Sequence, residues 1–284
     1  METQNAIVKI KRKNTARLPG FGLTLGLSLV YMSFLILIPL SALVLYSARL
    51  SPKEFWTLVL DERVLSAFKV SFSSTFFAAA INFFFGLIIA WVLTRYQFPG
   101  KRFIDAFIDL PFAIPTAVAG ISLAAIFAPT GILGSFLQKF GISLGFSKAG
   151  IVIALIFIGM PFVVRTVQPI IEELDKSVEE AASSLGANFF QIFVKVIFPS
   201  VFPALLTGFA MAFARGLGEY GSIIFISSNM PYESEIVPLL IIKKLMQFDY
   251  KGASAIGVSM LVCAFVLLFC VNMLQVYTKK RRKI

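Results

Sequence analysis

The chain has 284 residues, 58% hydrophobic and 14% charged, with 31 Phe and a net charge of +11. Soluble domains hold about 45–50% apolar and about 25% charged residues, so this composition excludes a cytosolic enzyme, a secreted disulfide scaffold and a disordered chain. It is that of an all-α polytopic membrane protein, read as one membrane domain over residues 1–284.

The sequence has no His, which removes imidazole acid–base and metal chemistry. It has no GxxxxGK[ST] loop either, so the chain is expected to bind no nucleotide and no other cofactor itself. Cys263 and Cys270 stand one heptad apart in an apolar run and read as reduced bilayer residues. The basic residues lie in loops and tails, where a membrane surface accounts for them better than nucleic acid does.

Six apolar segments of spanning length follow in order: Phe21–Tyr46, Phe68–Leu93, Ala106–Phe127, Gly150–Val164, Val201–Ile226 and Ala255–Tyr277. The first lacks a small-residue cleavage site and reads as a span, not a signal peptide. The fourth is short, with Met160-Pro161 placed near its cytoplasmic end, although apolar character continues to Ile171. Lys and Arg crowd both tails, from Lys9 to Arg17 and from Lys279 to Lys283. Arg95, Lys101 and Arg102, then Arg165, Lys176 and Lys195, fall in loops on the same side. That bias predicts both termini in the cytoplasm.

The third span carries Pro111 and Pro115, followed by Thr116, Ala117, Ala119 and Gly120. Each proline removes a backbone donor. Irregular backbone at membrane depth is tolerated where it is buried in protein or lines a cavity. Two compatible readings stand: a path-lining segment suited to an oxyanion, and a kinked helix whose small residues serve packing. Asp109 reads as a solvated helix start.

Between the fourth and fifth spans the composition changes abruptly. Glu172, Glu173, Asp175, Glu179 and Glu180 cluster there, and Ile171, Leu174, Val178, Ala182 and Leu185 recur at helical spacing. Ser177 with Glu180 forms a capping-box pattern, and Asp175 is the competing cap. Gly186 supplies a left-handed stop, and Asn188 opens a second short helix toward Pro199. An interfacial helix would carry Lys and Arg toward anionic headgroups, so the acidic face favours docking onto a cytoplasmic protein over resting on lipid.

In the fifth span the run FARGLGEYGS places Arg215 and Glu219 one helical turn apart, with Tyr220 beside them. One reading is a self-neutralising pair packed against another subunit. The other is a pair bordering a translocation path, because intramembrane charges face a bundle interior or an aqueous cavity. The outer loops, 48–67 and 228–254, carry the mixed charges Glu233, Glu235, Lys243, Lys244 and Asp249, read either as ordinary solvated charges or as a rim that contacts another protein.

Glu180-Ala181-Ala182, Gly186, Val196, Phe198 and Pro199 resemble the EAA signature of permease subunits of ATP-binding-cassette importers. The signature is E-A-A, three residues, G, nine residues, I-x-L-P. Its spacing holds throughout, with Val196 for Ile and Phe198 for Leu. The resemblance implies a six-helix type I (MetI-like) importer fold in which residues 172–200 form the coupling-helix loop that docks on an ATPase subunit. Glu180, Ala181, Ala182, Gly186 and Pro199 would be its coupling residues.

The stretches LPGFGLTLG (Leu18–Gly26), DLPFAIPTAVAGISL (Asp109–Leu123) and ARGLGEYGSIIFISSN (Ala214–Asn229) resemble the T-type subunit of sulfate/thiosulfate permeases. That branch implies a W-type partner permease, two cytoplasmic ATPase subunits that hold the ATP, and a periplasmic sulfate/thiosulfate-binding protein. It implies a bacterial inner membrane, with a plastid envelope as the other compartment. The candidate path residues are Arg215, Glu219, Tyr220, Pro115, Thr116 and Gly120. A molybdate or tungstate permease is the near alternative. A stand-alone channel or secondary transporter is the distant one, since it would need more intramembrane titratable groups.

Overall fold

Helices account for all regular structure among the described residues, 20–281 of a computed structural model, with side chains described to Gln275. The basic clusters Lys9–Arg17 and Arg282–Lys283, Leu18 and Pro19, and the side chain of Tyr277 lie outside them. Two compact units divide the chain between Leu45 and Tyr46.

Among its described residues the first unit is a single helix, continued by the start of the second unit to make α1 (Phe21–Ser47). Leu23, Leu27, Val30 and Phe34 are all exposed. A helix apolar all round suits lipid.

The second unit contains α2 (Pro52–Val59), α3 (Glu62–Arg95), α4 (Lys101–Ile108), α5 (Leu110–Ala113), α6 (Thr116–Phe127) and α7 (Ile132–Gln138). After these come α8 (Lys148–Glu173), α9 (Lys176–Ser184), α10 (Phe189–Leu217), α11 (Ile223–Ile226), α12 (Val237–Met246) and α13 (Tyr250–Arg281). Its core joins α3, α8 and α10, with Leu87, Ala90 and Leu93 against Val163, Val164 and Val167 and against Leu205, Ala212 and Phe213. Glycines set the spacing: a Cβ added at Gly208 would stand 2.8 Å from Val163 Cα, and one at Gly86 would stand 2.7 Å from Val163 Cγ1. Small residues at crossings allow this close packing in lipid, where no hydrophobic force drives helices together.

Among the described residues five helices are long and apolar enough to cross a membrane, or six if α6 and α7, bent by 42° at the break between them, count as one span. The largest departures from the expected boundaries fall in three spans. The third expected span is broken into α4, α5 and α6, with Ile114 and Pro115 extended between the last two.

The fourth expected span runs past Val164 to Glu173, straight through Pro161 and Pro169. Each proline removes one donor, whereas Val163, Val164, Val167 and Ile171 are fully buried. Burial outweighs the lost bonds. Arg165 is therefore a helix residue and no loop charge.

The fifth expected span begins earlier, at Phe189, and stops at Leu217, leaving Ile223–Ile226 as a separate turn. Two wide turns share one cause. The π-helical segments Ser33–Leu37 and Phe193–Ile197 each begin six residues before a proline, Pro39 and Pro199. A proline ring collides with the carbonyl four residues back, and the wider turn relieves that collision.

Candidate functional site

The first candidate is α9 with the turn that follows it. Asp175, not Ser177, caps α9: its side chain accepts the Ser177 N–H at 2.9 Å. That bond holds the Asp175 carboxyl below its ordinary value. The helix ends in paired bonds from Gly186 N to Ser183 O (2.9 Å) and from Ala187 N to Ala182 O (3.1 Å), with Gly186 at φ +83°. This is a Schellman stop, and it needs a residue free of the left-handed penalty. Asn188 then caps the next turn and exchanges side-chain bonds with Gln191, both at 2.9 Å. Pro199 is half-buried just past the wide turn of α10.

Glu180, Ala181 and Gly186 are exposed, and Ala182 is half-buried. Leu185 is 89% exposed, and Val178, Phe189 and Phe190 are exposed with it. Ala182, Leu185, Gly186, Ala187 and Lys195 line a groove of about 400 Å³. The result is an apolar patch crossed by acidic side chains on the surface of this chain. Glu179, by contrast, turns inward and pairs with Arg95 of α3 at 2.6 Å.

The second candidate lies where α10 ends. Arg215 occupies its last turn, whereas Glu219 stands beyond the helix, so the pair spans a helix end and does not lie along one helix. Arg215 Nη1 reaches Glu219 Oε2 at 2.7 Å, and the Ser222 N–H and hydroxyl donate to Oε1 at 2.9 and 3.0 Å. Glu219 is 2% exposed and Arg215 36%.

The broken third span meets this junction directly. A Cβ at Gly221 would strike the Thr116 hydroxyl, and one at Gly120 would strike the Ser222 carbonyl. Thr116 and Gly120 therefore join Glu219 at one place. Pro115, exposed at the N-cap of α6, leaves that helix start without a side-chain cap. Tyr220 is half-buried against the apolar cluster of Ile151, Leu155 and Ile223.

Three charge clusters were hidden by sequence distance. Arg165 donates to both Asp109 oxygens at 2.8 and 2.6 Å, to Asp105 at 2.7 Å and to Gln168 at 2.7 Å. Asp109, its side chain 47% exposed, is thus partly solvated as expected and is also one arm of a bidentate pair. An Arg inside an apolar helix is itself a signal that a partner exists.

Glu235, 1% exposed, binds Arg63 at 2.7 Å and Lys243 at 2.6 Å, and Asp249 binds Lys244 at 2.9 Å. Glu235 is thus a buried structural charge, Lys243, Lys244 and Asp249 are paired but partly exposed, and Glu233 is exposed as expected. Burial alone would raise the Glu235 carboxyl, and the bonds from Arg63 and Lys243 more than offset it. The third cluster is Arg95 with Glu179.

Residues 82–284 match the family described as "Binding-protein-dependent transport system inner membrane component". The sulfate transport system permease protein CysT of Escherichia coli (strain K12) is 47% identical over 258 residues, 91% of this chain and 93% of that protein. The CysT protein of Synechococcus elongatus is 46% identical over 251 residues, 88% of this chain and 90% of that protein. In fold, a chain of a bacterial alginate ABC transporter superposes with a TM-score of 0.75 at 17% identity, over 90% of this chain and 94% of that one. A chain of the MetNI methionine ABC transporter superposes at 0.57, with 17% identity over 81% of this chain and 99% of that one. The fold is thus that of MetI-like importer permeases. With the family matched over most of its length, this chain belongs to the inner-membrane components of binding-protein-dependent transport systems.

Proposed function

We propose that this chain is the T-type permease subunit of an ATP-driven sulfate/thiosulfate importer in a bacterial inner membrane, with both termini in the cytoplasm. It acts as one permease domain beside a W-type permease. Two cytoplasmic ATPase subunits supply hydrolysis, and a periplasmic sulfate/thiosulfate-binding protein delivers the anion.

The observation that carries this reading is α9, an exposed helix closed by Gly186 on a cytoplasmic loop, with Leu185 and Glu180 turned outward. Sequence identity to sulfate permeases along nine-tenths of the chain supports the choice of cargo. Glu180, Ala181, Ala182, Gly186 and Pro199 form the coupling surface. Low side-chain bulk at the Ala pair lets an ATPase surface approach closely.

The path runs past the junction of α6 and α10. Arg215 keeps part of its guanidinium accessible while Glu219 cancels its charge. The first N–H groups of α6, uncapped after Pro115, add positive potential beside Thr116. A dianion meets attraction there without a trap, because Glu219 remains bonded to Ser222.

Uptake of radiolabelled sulfate in a strain lacking this gene tests the reading. Restoring the chain should restore uptake, and sulfate or thiosulfate should compete better than molybdate. Stronger competition by molybdate would move the chain to the oxyanion-metal branch.

A further inference from the structure

Helix α3 is fixed at each end by an arginine–glutamate pair. At its outer end Arg63 grips Glu235 through Nε at 2.7 Å and Nη2 at 2.8 Å. At its inner end Arg95, the last residue of the helix, binds Glu179 of α9 at 2.6 Å. One uninterrupted helix of 34 residues joins the two pairs. At 1.5 Å per residue they lie roughly 48 Å apart, from one side of a bilayer to the other. Buried residues occur from Val64 to Leu93, so the rod is packed along its length.

The inner contact is more than one ion pair. Arg95 Nη2 also donates to the Leu174 carbonyl at the end of α8, at 3.3 Å. Its guanidinium lies over the Trp91 ring at 5.3 Å, and that ring meets Phe193 of α10 edge-on at 6.4 Å. Trp91 and Arg95, one turn apart, therefore touch the chain before α9, within α9 and after it.

The Arg95 side chain is 12% exposed, and its Nε, buried, has no hydrogen-bond partner. Removing Glu179 would leave a desolvated cation with no carboxylate, the costly half of a buried pair. Covalently α9 hangs only from α8 and α10. Noncovalently it is held by α3.

We infer that Arg95 is a positioning residue that makes α9 a rigid attachment of α3, so that this helix carries displacement between the Glu235 loop outside and the docking helix inside. The inference rests on the reading of α9 as the ATPase-docking helix. Two discrete arrangements of a packed element are the physical basis for such coupling, and it is measurable as an energy between sites.

The test uses the complete transporter purified with its ATPase and binding protein. The readout is stimulation of ATP hydrolysis by sulfate-loaded binding protein, expressed as a ratio to each variant's own basal rate. In Arg95→Gln and in Glu179→Gln this ratio should fall by about five-fold or more, the lower range of allosteric coupling. The exchange R95E with E179R should regain at least half of the lost ratio. A merely structural role would instead lower abundance and leave the ratio of the surviving complex intact.

A Cys at Leu185, cross-linked to the ATPase subunit, separates the two ideas. Failure to cross-link in the otherwise wild-type transporter sinks the docking reading. Cross-linking with wild-type stimulation in both single variants overturns the role of Arg95, and so does a loss that the exchange leaves unrepaired. Should Arg95→Gln not accumulate in membranes, Glu179→Gln and the exchange decide the matter.

Discussion

Arg215 and Glu219 are joined by a 2.7 Å ion pair across the end of α10, with the arginine in the last helical turn and the carboxylate beyond it. The sequence spacing suggests two rungs of one helix. The structure puts the pair at a helix end, where Ser222 fixes the carboxylate and Gly120 and Thr116 of α6 press against the same loop. Intramembrane charge, a helix break and a second broken helix coincide there.

Replacing Arg215 with Ala strands a carboxylate that is 2% exposed. Sulfate uptake is expected to fall about ten-fold or more, while the double change with Glu219→Ala should cost less than the two single losses combined. Uptake at matched membrane abundance across the four variants measures this. Simple additivity would mean that the pair does not act as a unit.

Gly120 tests the contact between α6 and the junction. Any Cβ there meets the Ser222 backbone, so Gly120→Val should force the two segments apart and destabilise by about 1–3 kcal/mol, as overpacking does. Gly26, where an added Cβ meets nothing within 4 Å, is the matched control. Uptake and thermal unfolding in detergent should both drop for the Gly120 variant and for it alone.

At Gly186 the constraint is conformational and then steric. With φ at +83°, a β-carbon costs about 1–2 kcal/mol in the left-handed region, although the surrounding space is open. Asn tolerates that region, so Gly186→Asn should keep the ATPase subunit bound and transport nearly intact. Gly186→Arg should leave the chain in the membrane and uncouple hydrolysis from transport. Wild-type transport by the arginine variant would remove α9 from the coupling surface.

Much of this was legible because it is local. Asp175, Gly186 and Asn188 act on residues within five positions, and the spacing of Glu180-Ala181-Ala182, Gly186 and Pro199 is read directly along the chain. The charge pairs were illegible because their partners are distant. Arg165 meets Asp109 and Asp105 across 56 and 60 positions, and Arg63 meets Glu235 across 172. Sequence shows that Glu235 is charged but not that it is buried. The extent of α8 was hidden for another reason: Pro161 and Pro169 signal a break, and only burial of Val163, Val164 and Val167 decides that the helix continues.

Acidification should release the outer loop. The Glu235 carboxyl is held below its ordinary value of 4.5, so its pairing stabilises the fold above that pH and is lost as pH falls through the depressed folded value. Amide protection in 229–246, taken relative to the intrinsic exchange rate at each pH, should fall below about pH 4.5 in the wild-type protein. Glu235→Gln should exchange fast at neutral pH and respond little to acid. An acid response of the same size in that variant would assign the effect to another group.

In the proposed transporter, α9 is the surface on which an ATPase subunit drives an anion permease. Cross-linking from a Cys at Leu185, 89% exposed on the chain, tests it most directly. In native membranes the account predicts one cross-linked product, containing the ATPase subunit, whose yield changes when sulfate-loaded binding protein and ATP are added. No product with the ATPase, or a yield indifferent to sulfate and ATP, would contradict it.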